Sequence, residues 1–167
     1  LGASGQLGYG IPTPAFNAGL ERKPDLIGCD MGSIDIGPYY LGSGNMATAR
    51  ESTKRDLRKV LIAARKHDIP LVIGSAGSAG GAPHLEQTLA IVREIAKEEG
   101  LHFRLGVIAG DIPKDIIIDA IRAQGMVGID GMPALTEGDV LGAAQIVGQM
   151  GMSSFEQAFK ADIDVLI

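Results

Sequence analysis

The spacing of apolar residues alternates along the chain between a pattern typical of strands and one typical of helices. Short apolar runs predict five strands, at residues 1–3, 25–29, 70–73, 103–109 and 164–167. Longer segments between them have an apolar residue every three or four positions, or a proline near the start, and predict helices. These helices span residues 12–21, 47–67, 85–99, 113–124 and 136–150, with a short one from Ser153.

The predicted helix over residues 47–67 has the clearest period. Leu57, Val60, Leu61 and Ala64 form one apolar stripe, as expected for a helix packed against a core. Most cations of this helix lie off the stripe, and we expect them to form a solvated face. They are Arg55, Arg58, Lys59, Arg65 and Lys66.

Start and stop signals bound several of these helices. Gly100 is a natural helix end, and Thr136 begins a TEGD segment typical of an N-cap. The SSFE sequence at residues 153–156 has the spacing of a capping box. Residues 31–45 are rich in Gly, Ser and Asp and predict a long loop, a feature that is commonly functional in a compact domain.

The order of elements is strand, loop and helix repeated four times, followed by a fifth strand. Such alternation is typical of a parallel sheet with helices on its faces. We therefore expect an α/β fold with an open, mainly parallel sheet and helices on both faces, a Rossmann-like three-layer arrangement. Residues 1–167 should form a single domain. The residues at both ends of the sequence have the pattern of a strand interior, so we expect that this sequence is a fragment of a longer chain.

Composition narrows the classes of function. The formal net charge is −5, Trp is absent and aromatic residues make up 4%, which disfavours nucleic-acid binding through phosphate contacts and base stacking. No apolar run approaches the roughly 18 residues that span a bilayer. A single cysteine excludes an internal disulfide and fits the reducing cytoplasm. Glycine is in excess, and it gathers in residues 2–10, 74–81 and 125–151.

Glycine together with a polar or ionisable residue follows each of the first four predicted strands. Ligands of open parallel sheets bind beyond the carboxyl ends of the strands, so these positions form one candidate site. The candidate ligand-binding residues are Ser4, Gly5, Gly8, Asp35, Ser75, Gly77, Ser78, Gly80 and Gly81. The candidate catalytic residues are His84, Asp30 and Asp111.

The sequence GSAGSAGGAPH, residues 74–84, is the most specific of these segments. Its glycines can turn backbone N–H groups towards one point, its serines add donors, and a helix N-terminus follows. We expect it to bind phosphate or carboxylate, with His84 bonding the ligand or transferring a proton. The alternative is that the glycines form a mobile turn and that His84 caps the helix. The segment lacks the GK[ST] ending of a Walker A loop.

The first loop, GASGQLGYG at residues 2–10, departs from the G-x-G-x-x-G spacing of dinucleotide-binding loops. We therefore expect no nicotinamide, and no cofactor is assigned. The loop is either a second backbone cradle for the ligand or a simple turn from strand to helix.

Three aspartates are the acidic candidates of the site. Asp111 suits either a helix cap or a site residue, whereas Asp30 and Asp35 have no clear helix to cap. Near His84, they could hold Mg²⁺ or divide acid and base roles, although their spacing does not require a metal.

Three further residues leave two interpretations each. Cys29 could be a nucleophile, but a small buried hydrophobic residue is the favoured interpretation. Tyr39 and Tyr40 either line the mouth of the site or pack within the loop.

Four segments carry a family resemblance: LGASGQLGYG, GSAGSAGGAPHLEQTLAIVREIAKEEG, GMPALTEGDVLGAAQIVGQMG and ADIDVLI. Together they resemble the amino-terminal part of the acyclic terpene utilisation (AtuA-like) family, formerly a domain of unknown function. The resemblance runs along the whole chain. It implies a bacterial, cytoplasmic protein encoded among genes for catabolism of branched or unusual carbon compounds, and it assigns no catalytic residues.

The expected function is a catabolic enzyme of lyase or hydrolase type. Its substrate would be a small carboxylate, or a phosphorylated or coenzyme A-linked acid, bound by the glycine loops. A second interpretation is a ligand-binding or assembly subunit without catalysis, and a third is that the glycines serve close packing only. We expect a small anionic ligand, no nucleic acid and no membrane among the partners, and the fold is compatible with a homo-oligomer.

Overall fold

A computed structural model describes residues 1–32 and 37–167 of the chain. Within these ranges the strands are β1 (Gly2–Ser4), β2 (Ile27–Asp30), β3 (Leu71–Gly74), β4 (Leu105–Gly106) and β5 (Val165–Leu166). The helices are α1 (Thr13–Glu21), α2 (Tyr39–Ser43), α3 (Arg50–His67), α4 (Ala82–Glu99), α5 (Lys114–Arg122), α6 (Glu137–Gly142) and α7 (Met152–Lys160).

The strands form one sheet in the order β1-β2-β3-β5-β4, and every pair is parallel. The connections β1–β2, β2–β3 and β3–β4 each move across the sheet in the same direction. The connection from β4 to β5 moves in the opposite direction. Because crossovers between parallel strands are right-handed, α1, α3 and α4 cover one face and α5 to α7 the other. The predicted α/β, three-layer fold is confirmed, and β3 is its central strand.

The core lies between the sheet and the helices α3 and α4. β2 and β3 bury alternate residues, as the strand period requires. These residues are Ile27, Cys29, Leu71 and Ile73. The four residues of the predicted stripe on α3 are fully buried against this core, which confirms the helical interpretation.

Several cations of α3 make ion pairs or hydrogen bonds, so the expectation of a solvated face is only partly correct. Arg58 pairs with Glu98 and Glu99 of α4. Lys59 Nζ donates to the carbonyl oxygen of Ile11 at 2.7 Å. These contacts tie α3 to α4 and to the chain before α1.

One helix within the predicted loop 31–45 escaped the sequence analysis. α2 buries none of its residues, so it has no apolar stripe that a periodicity search could detect. It is held from outside, by hydrogen bonds from side chains of α4 to the carbonyl oxygens of Tyr40, Gly44 and Asn45.

The second half of the chain is less regular than predicted. The predicted strand 103–109 contributes only β4 to the sheet, and the predicted helix 136–150 ends at Gly142. Residues 146–148 instead pair with residues 110–112, where Ile112 N donates to Ile146 O at 2.9 Å and Gly148 N to Gly110 O at 2.8 Å. This pairing satisfies backbone groups that a longer helix would have used internally.

The two predicted helix caps have opposite outcomes. Thr136 and Asp139 form a reciprocal capping box at the start of α6, as the TEGD segment predicts. The predicted box at residues 153–156 is wrong, because α7 begins earlier, after Gly151, and has no side-chain cap. Within the described ranges, no helix combines the length and the apolar character needed to cross a bilayer.

Candidate functional site

The carboxyl ends of β1, β2 and β3 lie side by side. Leu7 N donates to Asp30 O at 2.8 Å, and Met31 N donates to Gly74 O at 3.0 Å, so backbone hydrogen bonds join the loops beyond the strands. Three predicted site residues therefore lie at the carboxyl ends of neighbouring strands: Ser4 ends β1, Asp30 ends β2 and Ser75 follows β3.

The residues after β3 alternate in backbone handedness; we call residues 75–77 the β3 turn. Ser75 is left-handed at φ 52° and Gly77 at φ 63°, whereas Ala76 between them does not have positive φ. Such alternation directs successive N–H groups to one side and forms a concavity suited to an anion. The N–H groups of residues 75–77 have no acceptor among the described residues, whereas Ser78 N donates to Ser75 O at 2.9 Å.

Two serines of this segment occupy backbone conformations that disfavour any side chain. Ser75 and Ser78 have φ values of 52° and 94°, a region in which non-glycine residues are uncommon. Ser75 is exposed and Ser78 is buried. Backbone strain of this kind is concentrated at binding and catalytic sites, so it supports a functional interpretation of the turn.

The loops after β2 and β3 pack closely. A Cβ on Gly32 would lie 2.5 Å from Ser75 Cβ and 3.2 Å from Ser78 O. The Asp30 carboxylate accepts a hydrogen bond from Gly32 N at 2.8 Å and is exposed. Asp30 and Ser75 are thus accessible groups on two adjoining loops.

His84 lies in the first turn of α4 and is fully buried. Its Nε2 lies 2.9 Å from Tyr40 O and 3.1 Å from Asn45 O. Because both neighbours are acceptors, Nε2 carries a proton and donates it. His84 therefore fastens α2 to the start of α4, and its Nε2 is not available to a ligand in this arrangement.

The other ring nitrogen of His84 lies beside Gly81. A Cβ on Gly81 would come 3.3 Å from His84 Nδ1 and 2.1 Å from Gln145 Oε1. Both of these polar atoms are buried without a hydrogen-bond partner in the described part of the chain. A side chain at residue 81 would displace the end of the Gln145 side chain, so the two loops approach closely at this position.

The first glycine loop already holds an anion of the protein itself. Gly8 N and Gly10 N both donate to Asp56 Oδ2 at 2.8 Å, and Asp56 is 1% exposed. Burial alone would raise the pKa of Asp56, but hydrogen bonds from Arg55 and the two glycine amides outweigh it and lower the pKa below its ordinary value. The amide of Gly8, a predicted ligand-binding residue, is therefore occupied.

The remaining predicted residues are dispersed. Asp111 is exposed and pairs with Val147 in an isolated antiparallel bridge; it does not cap α5, whose N-cap is Pro113. The preceding residue, Gly110, lies close to the segment after the β3 turn, because a Cβ on Gly110 would lie 3.4 Å from Gly80 O. Asp35 lies outside the described residues.

Cys29 is buried in the core at the carboxyl end of β2. Burial, with the nearby charge of Asp56, raises the pKa of the Cys29 thiol to about 12. A neutral thiol is a poor nucleophile, which favours the interpretation of Cys29 as a small buried hydrophobic residue.

An open groove of about 730 Å³ runs along β1; we call it the β1 groove. It is lined by Gly2, Ala3, Ser4, Gly5, Gln6, Tyr9, Gly10 and Pro12. Ser4 and Gly5 are the predicted site residues that border it, and the predicted catalytic residues are not among its described lining residues.

Sequence reasoning missed Asp56 and Gln145. Asp56 had a detectable signal, because its spacing from Val60 and Ala63 puts a carboxylate on the buried stripe of α3, where an internal partner is required. Gln145 had none, since it follows α6 in irregular chain. Among the described residues, no cluster of three or more His, Cys, Asp or Glu side chains could hold a metal ion.

The chain matches no protein family, no curated protein and no solved structure with which it was compared.

Proposed function

We propose that the chain binds a small organic acid at the carboxyl edge of its sheet and acts on it as a catabolic enzyme of lyase or hydrolase type. The observation that carries the proposal is the β3 turn. It follows the central strand, alternates in handedness, and has three N–H groups without an acceptor among the described residues. Such a turn suits a carboxylate or a phosphate.

The helix that follows the turn strengthens the preference for an anion. α4 is 18 residues long and begins at Ala82, directly after the loop that continues the β3 turn. Its N-terminal end carries partial positive charge, which favours a negatively charged ligand within about the first turn. No cationic side chain is needed for this attraction.

Asp30 is the group best suited to transfer a proton to or from the bound acid. It is exposed, it follows the strand next to β3, and its loop packs against Ser75 through Gly32. Asp111 remains a second candidate from the adjoining segment. His84 acts in this proposal as a positioning residue, because its Nε2 is engaged with Tyr40 and Asn45.

The alternative function is a ligand-binding or assembly subunit without catalysis. The burial of His84 favours it, since the histidine expected to act as acid or base instead has a packing role. In this alternative the β3 turn still binds an anion, but no titratable group acts on it. The AtuA-like resemblance supports the enzyme, in a bacterial cytoplasm and in carbon-source catabolism.

Ser75 offers a matched pair of variants for testing the anion site. Asp and Asn both tolerate left-handed φ, so Ser75→Asp adds a negative charge at the turn while Ser75→Asn adds only a similar volume. We expect Ser75→Asp to weaken binding of inorganic phosphate and propionate by about tenfold or more, through like-charge repulsion, with Ser75→Asn close to wild type. Calorimetric titration measures both affinities, and equal affinities of the two variants would contradict the anion site.

Asp30→Asn separates the enzyme from the binding subunit. Short carboxylates and their coenzyme A esters are first screened for turnover by the wild-type chain. For a converted compound, the enzyme predicts that Asp30→Asn keeps the affinity and lowers turnover by about a hundredfold. Binding without turnover of any screened acid, or a fully active Asp30→Asn variant, argues against the catalytic role.

A further inference from the structure

We propose that the β1 groove holds an extended, uncharged, amide-bearing chain, the pantetheine-type arm of a coenzyme A-linked acid. This inference rests on the proposed function, because a free carboxylate of the same ligand, one not used in the thioester bond, would lie on the β3 turn. It narrows the substrate class from organic acids in general to dicarboxylic acids carried as thioesters of one carboxyl group.

The size and charge of the groove suit the arm of such a ligand. Its volume of about 730 Å³ lies within the range of roughly 300–1,000 Å³ typical of small-molecule sites. None of the described residues that line it has a charged side chain. A phosphate or carboxylate in the groove would therefore have no cationic side chain among the described lining residues to pair with. An uncharged amide chain does not need such a partner.

The free edge of the sheet provides hydrogen-bonding groups for amides. β1 is an edge strand, so the backbone groups on its outer side have no strand partner in the described part of the chain. Leu1 directs its carbonyl to β2, where it accepts from Gly28 N at 2.9 Å. The backbone of the next residue, Gly2, accordingly faces outwards. An extended chain of alternating amide donors and acceptors can pair with such an edge.

The floor of the groove leaves space for close approach. Apart from the adjoining residues, no atom of the described chain lies within 4 Å of a Cβ placed on Gly2 or Gly5, so a ligand can contact the backbone directly. Ser4 Oγ accepts from Gln6 N at 3.1 Å, which leaves the hydroxyl proton to donate. Gln6 also lines the groove, but its Nε2 is buried and has no acceptor among the described residues, so this atom is not counted among the donors open to the ligand.

The two parts of the site are at a suitable separation. β1 and β3 flank β2, so their carboxyl ends lie two strand spacings apart, about 10 Å. An extended arm along β1 can therefore place its thioester at the end of β2, where Asp30 lies, and the free carboxylate of its acyl group on the β3 turn.

The test uses one probe for each part of the site. Pantetheine is uncharged and carries two amides, so it reports on the β1 groove, and inorganic phosphate reports on the β3 turn. Gly5→Leu projects a side chain into open space at the groove, and the backbone tolerates it because φ of Gly5 is not left-handed. Gly142→Leu is the matched control, since a Cβ on Gly142 also meets no other described residue within 4 Å and Gly142 is the last residue of α6.

We expect calorimetric titration to detect pantetheine binding to the wild type and to Gly142→Leu, with an affinity at least about tenfold lower for Gly5→Leu. Phosphate binding should be equal in all three. If phosphate binds and pantetheine does not, or if Gly5→Leu binds pantetheine normally, the inference is overturned while the anion site stands. If pantetheine binds and phosphate does not, the result supports binding in the β1 groove and contradicts the proposed function. Stronger competition by an uncharged alanine peptide would assign the groove to peptides and overturn the inference.

Discussion

Gly77 lies directly against His84, so the β3 turn and the first turn of α4 are in contact. A Cβ on Gly77 would come 2.7 Å from His84 Cβ and 3.0 Å from both His84 Cα and His84 O. Three atoms of one residue, two of them backbone, thus exclude any side chain at this position. The same glycine has φ 63°, so both the close packing against α4 and the left-handed backbone of the β3 turn favour glycine at this position.

Gly77→Ala should destabilise the fold strongly. The new methyl group collides with the backbone of α4, and the left-handed φ adds a conformational cost of about 1 kcal/mol. With overpacking costs of about 1–3 kcal/mol, we expect a loss of about 3 kcal/mol in the free energy of unfolding. Urea denaturation measures this loss, and Gly5→Ala is the control because its Cβ meets nothing within 4 Å. Equal stability of the two variants would contradict the close contact.

His84→Ala should loosen α2 as well as lower stability. The substitution removes a fully buried ring, at a cost of about 3 kcal/mol, together with the hydrogen bonds to Tyr40 O and Asn45 O. Hydrogen exchange should therefore accelerate at the α2 amides of Gly42 and Gly44. Gln87→Ala removes one hydrogen bond to Gly44 O and one within α4 to Pro83 O, and it should give a smaller effect at the same amides. Unchanged exchange in His84→Ala would show that α2 is held by other contacts.

The sequence predicted the parts of the fold that follow from periodicity. The stripe on α3 and the short runs of β2 and β3 have a direct physical cause, because buried faces must be apolar at the spacing of the element. Gly100 also ends α4 as predicted, with φ 63°. Elements without a buried face were not predicted. α2 is held by side chains that are distant in sequence. Residues 146–148 pair with a segment more than thirty residues earlier in the chain.

The candidate site was predictable only as a location. The strand-end rule put Ser4, Asp30 and Ser75 on neighbouring loops, and the sheet order agrees. The occupation of Gly8 by Asp56 was not foreseen, because a glycine loop looks the same whether its amides face a ligand or a buried carboxylate. The burial of His84 was equally hidden, since it depends on the position of α2.

Asp56 should make the protein sensitive to acid. Its pKa in the folded chain lies below the ordinary value of 3.8, so the ionised form stabilises the fold above about pH 4, and this stabilisation is lost as pH falls through the lowered pKa. Asp56→Asn should be less stable than wild type by about 2 kcal/mol at pH 7, since it weakens two charge-assisted hydrogen bonds. The difference should close as pH falls through the lowered pKa of Asp56, where the wild-type carboxyl becomes protonated.

Chemical denaturation at a series of pH values measures this difference directly. Glu94→Gln is the control, because hydrogen bonds from Lys54 and Arg50 lower the pKa of Glu94 to about 2 at a partly exposed site, where an ion pair adds little stability. A gap between wild type and Asp56→Asn that stays constant from pH 7 to pH 2 would contradict the buried carboxylate.

Cys29 should resist thiol reagents as long as the protein is folded. The pKa of its thiol is raised from 9.0 to about 12, which reduces the reactive thiolate about a thousandfold at pH 7, and burial hinders access further. Because the chain has one cysteine, the absorbance change with Ellman's reagent reports on this residue alone. We expect labelling to be slow in buffer and immediate in 6 M guanidinium chloride, and the slow rate to follow the rate of unfolding. Fast labelling of the native protein would restore Cys29 as a candidate nucleophile, whereas an active Cys29→Ala variant would remove it from the mechanism.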